Sequence, residues 1–147
     1  MKLTTKGRFA VTAMLDLATH SKDSQPVTLA AISARQKISQ SYLEQLFAKL
    51  RRAKLVDSVR GPGGGYILLH PIDKITITAI IAAVEDTLDA TQCGGAANCQ
   101  NGVRCISHYL WENLNRTIDG YLTEISLDDV LNHRFPAQTG MYAIQPI

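Results

Sequence analysis

Residues 93–108 contain every cysteine of the chain and one of its four histidines. Cys93, Cys99, Cys105 and His108 follow one another with gaps of five, five and two residues. Three thiolates and an imidazole suit zinc or an iron–sulfur cluster, because both are soft metal centres. Zinc sites usually show shorter gaps between paired cysteines, whereas clusters accept longer loops but are usually bound by cysteines alone. The spacing therefore favours a cluster over zinc.

Two other interpretations of this segment stay open. The residues could bind zinc, or they could be thiols beside a histidine with no metal at all. A disulfide framework is disfavoured because three cysteines leave one unpaired. If a helix begins near Arg104, Cys105 and His108 share one of its faces, and the positive helix N-terminus stabilises a nearby thiolate.

Length and composition indicate one domain, or a small domain with an appendage, that can bury a real core. The chain has 147 residues, of which 46% are hydrophobic. Its longest apolar run, at residues 75–84, is well short of the ~20 residues that a membrane helix needs. Asp16 interrupts the apolar part of the N-terminus, which argues against a signal peptide. We expect a cytoplasmic protein with reduced cysteines and no membrane contact.

The charge of the chain is unevenly distributed. Residues 1–60 carry eleven Lys or Arg against four acids, whereas residues 61–147 carry four against nine. A basic first half attached to an acidic second half indicates a polyanionic partner for the first half.

Two short helices with a tight turn between them are predicted after a first helix that begins near Thr5. Thr28 caps the second helix and Ser39 caps the third, which runs from Gln40 to about Ala53. The third helix places apolar residues on one face and polar residues on the other. The two short helices therefore fit a helix-turn-helix, in which the first residues of the second helix reach DNA base edges. The alternative is a plain helical core with a solvated face. The candidate DNA contacts on the polar face are Gln40, Ser41, Glu44, Gln45, Lys49, Arg51 and Arg52.

A hairpin with a glycine-rich tip follows directly. Residues 56–60 alternate like a strand, and residues 66–69 form a second strand. The tip between them has almost no side chains, and a hairpin in this position is a wing. Arginine at such a site can enter a narrow minor groove, and a slim tip can approach the sugar–phosphate backbone. The candidate contacts here are Arg60, Gly61, Gly63 and Gly64.

A long helix is predicted from Arg104 to about Ile125, after a shorter one capped by Thr76. Its apolar residues recur at intervals of three and four, as in helices that pack along a partner helix. The pattern fits either a dimer seam or packing within the chain. The candidate seam residues are Trp111, Leu114, Ile118, Tyr121 and Ile125.

Three stretches of the sequence resemble a known family. They are KLTTKGRFAVTAMLDLA, SQSYLEQLFAKLRRAKLVDSVRGPGGGY and the C-x5-C-x5-C-x2-H pattern. Over about residues 1–132 the chain resembles the iron–sulfur cluster regulators of the Rrf-type winged-helix transcription factors. The resemblance implies a mainly α fold with a small β wing. It divides the matching part into a winged helix-turn-helix domain at 1–72 and a cluster-binding loop with dimerisation helices at 73–132. The tail at 133–147 has no clear pattern and lies outside the resemblance, so we expect it to be flexible.

The same resemblance implies a function. The protein would be a homodimer that binds palindromic double-stranded DNA and one 2Fe–2S cluster per chain, held by Cys93, Cys99, Cys105 and His108. Cluster-assembly machinery would supply the cluster, and the regulator would repress or activate cluster-assembly genes. Ser39, Ser41, Tyr42, Glu44 and Gln45 match the family's recognition helix, and Glu44 matches the position that discriminates between classes of DNA site.

Two further functions compete with this expectation. One is a winged-helix regulator that uses zinc or free thiols as its sensor. The other is a small redox carrier, which would explain the cysteines but not the basic first half. An enzyme is not expected, because the sequence shows no nucleophile paired with a base.

Overall fold

A computed structural model of the protein describes residues 4–85, 96–98 and 100–137. Six helices and two strands lie in this part of the chain: α1 (Thr5–His20), α2 (Leu29–Gln36), α3 (Gln40–Arg52), β1 (Val56–Val59), β2 (Gly65–Leu68), α4 (Ile77–Val84), α5 (His108–Thr123) and α6 (Leu127–Leu131). The predicted class, mainly α with a small β wing, is confirmed.

Hydroxyl side chains set the starts of several helices. In each case the hydroxyl accepts a hydrogen bond from the backbone N–H three residues further on, which stabilises a helix by about 1 kcal/mol. The helix starts predicted from Thr28, Ser39 and Thr76 therefore match the structure. The capping residues are Thr28, Ser39, Thr76 and Ser126.

Helix α1 lies at the centre of the molecule. It packs against α2, α3, α4, α6 and β2, and its residues Ala10, Ala13, Met14 and Leu17 are fully buried. The apolar faces of α3 and α4 complete one continuous cluster with it. In the described part of the chain, no helix combines the length and the apolar character that crossing a bilayer requires.

The wing is attached to the helix-turn-helix by backbone hydrogen bonds. Strands β1 and β2 pair antiparallel, with Val56 opposite Leu68 and Val59 opposite Gly65. Val27, just before α2, exchanges two hydrogen bonds with Tyr66 of β2, at 3.0 and 2.8 Å. This third pairing holds the wing against the start of the helix-turn-helix.

The long helix is shorter than its sequence pattern predicts. Helix α5 begins at His108 instead of near Arg104, so Cys105 lies in the turn before it. It ends at Thr123, and Ile125 lies beyond it with its side chain 3% exposed in the chain's own core. The carbonyl of Ile125 accepts a hydrogen bond from Ile77 N–H at 2.9 Å. The placement of Ile125 on a helical seam is therefore wrong, because tertiary pairing with α4 ends the helix first.

Candidate DNA-binding surface and cysteine–histidine segment

The first turns of α3 present a polar surface. Gln40, Ser41, Glu44 and Gln45 are all exposed, while Leu43, Leu46, Phe47 and Leu50 of the same helix are buried in the core. Side chains with donors and acceptors on an exposed helix face can reach base edges in a major groove. The structure thus brings four of the predicted contacts together on one side of one helix.

Other predicted contacts on α3 already have partners within the chain. The Ser39 hydroxyl accepts a hydrogen bond from Tyr42 N–H at 3.2 Å, so it caps the helix. The ring of Tyr42 packs edge-on against Phe9 of α1, with centroids 5.7 Å apart. Lys49 is half-buried and donates to the backbone carbonyl of Val84 at 3.5 Å. Tyr42 and Lys49 therefore also fix where α3 lies on α1 and α4.

The basic end of α3 leads to the wing. Arg51 donates to Asp57 of β1 at 3.0 Å, in an ion pair exposed on both sides. Such a pair contributes at most about 1 kcal/mol, so the arginine can exchange Asp57 for a phosphate. Arg52 and Arg60 are exposed. With Arg51 they form a basic border between the recognition helix and the wing.

The wing tip is a tight turn that depends on glycine. Gly64 N–H donates to the carbonyl of Gly61 at 2.9 Å, and the turn between them places Pro62 before Gly63, whose φ is +72°. Proline followed by a residue with positive φ is the signature of a type II turn. A Cβ atom at Gly64 would lie 2.3 Å from the carbonyl oxygen of Val59, so only glycine fits there.

Two of the four predicted metal ligands lie in the described residues. Cys105 is half-buried, and its backbone carbonyl accepts a hydrogen bond from His108 N–H at 3.1 Å. This turn places both residues at the N-terminus of α5, where His108 is 3% exposed. Cys93 and Cys99 lie outside the described residues. A thiol and an imidazole held together at a helix N-terminus suit a metal centre with soft ligands.

An exposed apolar surface continues from this turn along α5. Trp111 and Tyr121 are 39% and 43% exposed, whereas Leu114 and Ile118 are half-buried against the chain itself. The predicted stripe therefore lies on one face of α5, and its outward part includes Trp111 and Tyr121. Leu110, which the heptad pattern does not include, is 61% exposed and extends the outward part.

A buried ion pair joins α1 to the helix-turn-helix. The side chain of Asp16 is fully buried and accepts hydrogen bonds from Arg35 at 2.7 and 3.0 Å and from Gln36 at 2.7 Å. Burial alone would raise the pKa of Asp16, but these hydrogen bonds and the charges of Arg35 and His20 hold its pKa below the usual value. The network fixes the end of α2, where Lys37 makes the turn into α3 with a φ of +57°.

Comparison with known proteins decides the family. The family described as Rrf2, iron-dependent transcriptional regulator, matches residues 3–133. The chain belongs to the Rrf2 family. It is 62% identical over 134 residues to an HTH-type transcriptional regulator of Neisseria meningitidis, covering 91% of this chain and 90% of that protein. It is 57% identical over 131 residues to the regulator IscR of Photobacterium profundum, covering 89% and 76%.

Solved structures agree with this assignment. The structure of IscR from T. potens matches this Rrf2 protein with a TM-score of 0.75 and 38% identity, covering 95% of this chain and 93% of that one. The structure of CymR, the global cysteine regulator of B. subtilis, matches with a TM-score of 0.77 and 31% identity, covering 90% and 98%. The resemblance to the Rrf-type regulators is confirmed, and with it the winged-helix fold.

Membership of the family establishes the general activity. This Rrf2 protein is a DNA-binding transcriptional regulator of the IscR type and not an enzyme. The exposed face of α3 and the wing remain the predicted surface for DNA.

Sequence patterns missed two long-range hydrogen-bonded residues of this Rrf2 protein. The first is Asp16, whose hydrogen-bond partners lie about twenty residues away in sequence. A single carboxylate on the apolar face of α1 was the only sequence feature that could have indicated a buried ion pair. The second is Glu85, whose carboxylate accepts a hydrogen bond from Gly7 N–H at 3.1 Å across 78 residues of sequence. No local pattern could have predicted that contact.

Proposed function

We propose that this Rrf2 regulator senses iron–sulfur cluster status through one 2Fe–2S cluster per chain. Cys93, Cys99, Cys105 and His108 would hold the cluster, which supplies a centre that oxygen or iron shortage can remove. The arrangement of Cys105 and His108 carries this proposal, because one turn fixes both donors at the start of α5. A histidine ligand is neutral when it binds and holds iron less firmly than a thiolate would, which suits a sensor that must release its cluster.

The chain's own residues would connect this centre to DNA. His108 is the first residue of α5, and the outward apolar residues of that helix follow directly after it. We propose that this face pairs with a second copy of the chain, so that two recognition helices reach successive half-sites of a palindrome. Ordering of residues 93–108 would then change the position of the two recognition helices relative to each other.

Glu44 would select between classes of DNA site. Its exposed carboxylate, at the centre of the polar face of α3, repels phosphates and tolerates only bases that offer a donor, such as cytosine N4. The regulated genes would be those of cluster assembly, repressed or activated according to the site, and the assembly machinery would supply the cluster. A regulator of chromosomal DNA acts in the cytoplasm.

The test is an anaerobic visible absorption spectrum of the purified protein, with iron, sulfide and zinc measured in the same sample before and after air. We expect broad visible bands and matching amounts of iron and sulfide, both lost on exposure to oxygen. A colourless protein with one zinc per chain would contradict the cluster and favour the zinc-based sensor. A protein that stays without metal after anaerobic reconstitution would leave a thiol-based regulator.

A further inference from the structure

The C-terminus of α4 is bound to both α1 and α3. Glu85 directly follows the last residue of α4, and its carboxylate accepts the hydrogen bond from Gly7 N–H in the first turn of α1. The carbonyl of Val84, one residue earlier, accepts the hydrogen bond from Lys49 of α3. Two consecutive residues thus join three helices, and we name Val84, Glu85, Gly7 and Lys49 the α4 clasp.

Glu85 replaces a cap that α1 lacks. Thr4 precedes α1 but makes no side-chain hydrogen bond to the helix, which leaves the first N–H groups without a local partner. A carboxylate is the side chain that the positive end of a helix favours most. The carboxylate lies directly against Gly7, since a Cβ atom there would be in ordinary van der Waals contact with its carbon and both of its oxygens, at 3.4 Å.

The clasp leads directly to the reading face. Phe9, two residues after Gly7, packs edge-on against Tyr42 in the first turn of α3. Tyr42 lies between Ser41 and Glu44, which are exposed on the surface that reads DNA. A shift of the first turn of α1 is therefore transmitted through two packed rings to the part of α3 that selects bases.

The other end of the clasp is connected to the proposed sensor. Cys93, the first of the predicted ligands, follows Glu85 by eight residues in sequence. We expect a change in residues 93–108 on cluster binding to act on this end of the clasp.

The α4 clasp is also suited to having two states, one with the hydrogen bond between Glu85 and Gly7 and one without it. The second carboxylate oxygen of Glu85 is buried and has no hydrogen-bond partner among the described residues. A buried acceptor without a partner lowers the stability of the arrangement that buries it. An open cleft of ≈ 480 Å³ lies beside it, and Lys6 and Lys49 in its wall could each provide the missing donor. The bond to Gly7 therefore competes with alternatives close by.

We infer that Glu85 is a positioning residue that transmits the state of the cysteine-containing segment to the recognition helix α3. This role rests on the proposed function, since it needs a cluster whose presence changes DNA binding. It adds a specific residue and a specific path, through Gly7, Phe9 and Tyr42, to that function.

The experiment compares DNA affinity of the cluster-loaded and cluster-free forms for wild type, Glu85→Ala and Glu85→Gln in the full-length protein. The ratio of the two affinities measures the coupling, which is typically about 5- to 150-fold where it exists. We expect Glu85→Ala to bring this ratio to within about twofold of one. Glu85→Gln keeps an oxygen for Gly7 N–H and should retain most of the wild-type ratio. Glu124→Ala, which removes an exposed glutamate elsewhere, should leave the ratio unchanged.

Amide hydrogen exchange tests the same role without relying on DNA. In the cluster-free protein, Glu85→Ala should raise exchange at Gly7 by about tenfold, because the bonded acceptor is lost. In wild type, cluster loading should change exchange in the first turn of α1 while α2 serves as the reference. The exchange measurement on wild type tests the role of Glu85 even if Glu85→Ala does not fold.

The possible failures are distinguishable. If wild type binds DNA identically with and without a cluster, the proposed function and this inference both fail. If wild type shows coupling and Glu85→Ala shows the same coupling, only the role of Glu85 fails. Unchanged exchange at the first turn of α1 on cluster loading would likewise overturn the role of Glu85 alone.

Discussion

Asp16 shows how a buried charge can position a DNA-reading unit. Its carboxylate is fully enclosed and takes hydrogen bonds from Arg35 and Gln36, at the end of the helix that precedes the turn into α3. Removing one member of such a buried pair leaves the other with an uncompensated charge. Arg35 is about one-third exposed, so water compensates part of that loss.

We expect Asp16→Asn to lower the free energy of unfolding by about 2 kcal/mol at neutral pH, because the charge-assisted bonds become ordinary ones. Since folding lowers the pKa of Asp16, its contribution is complete above the unfolded value of 3.8 and is lost as pH falls through the lower folded pKa. Urea unfolding at several pH values should show that the difference in free energy of unfolding between wild type and Asp16→Asn decreases below pH 3.8. A difference that grows as the pH falls would contradict this prediction. The control is Asp73→Asn, which changes a carboxylate on an exposed turn.

Glu44 is the residue whose replacement should change specificity most directly. Glu44→Ala removes the exposed carboxylate that we propose repels phosphates and rejects bases without a donor. The cluster-free protein should then bind a wider range of sites, with discrimination between site classes falling by about tenfold. Binding titrations with two operator classes measure this, and Glu124→Ala is the matched control. An unchanged preference would remove Glu44 from the selection of sites.

At the scale of elements, local patterns predicted best what local forces determine. The starts of α2, α3 and α4 follow from hydroxyl caps and apolar spacing. The start and end of α5 did not follow, because the three-and-four spacing continues through Ile125 although the backbone there pairs with Ile77. The polar face of α3 and the wing tip were evident from side-chain types. The bonds that hold them in place, such as those of Asp16 and Glu85, join residues far apart in sequence.

The wing offers an element-scale test. Gly64→Ala should displace the tip, because its Cβ would overlap the backbone oxygens of Val59 and Gly61 at 2.3 and 2.8 Å. The tip lies outside the core, so melting temperature should change little while DNA affinity falls by about tenfold, the effect of losing one or two backbone contacts. Gly120→Ala, where a Cβ would meet open space, should leave affinity unchanged. Equal DNA affinity for wild type and Gly64→Ala would show that the wing tip does not contact DNA.

At the scale of the whole molecule, α5 exposes more apolar surface than is typical of one helix in a monomeric protein. Leu110, Trp111 and Tyr121 are each more than a third exposed on this one helix. Exposed apolar surface of this kind, contiguous along a helix, marks a site where another protein binds. The opposite face of the helix carries Glu112, Arg116 and Asp119, so the asymmetry indicates a single contact side.

Tyr121→Glu should therefore weaken self-association by about thirtyfold or more, as the loss of a central aromatic residue does in other interfaces. Sedimentation equilibrium over a range of concentrations measures the dissociation constant. Arg116→Glu places the same carboxylate on the opposite face of α5, where the side chain is exposed, and should have no effect. Equal self-association in both variants would place the interface elsewhere.

We propose above all that cluster occupancy changes which DNA this Rrf2 regulator binds. Fluorescence anisotropy titrations of one protein sample, before and after anaerobic cluster loading, against two classes of palindromic operator test it most directly. We expect the affinity for one class to rise by about tenfold on loading while the other changes much less. Identical affinities for both classes in both forms, with loading verified by iron and sulfide content, would contradict the account.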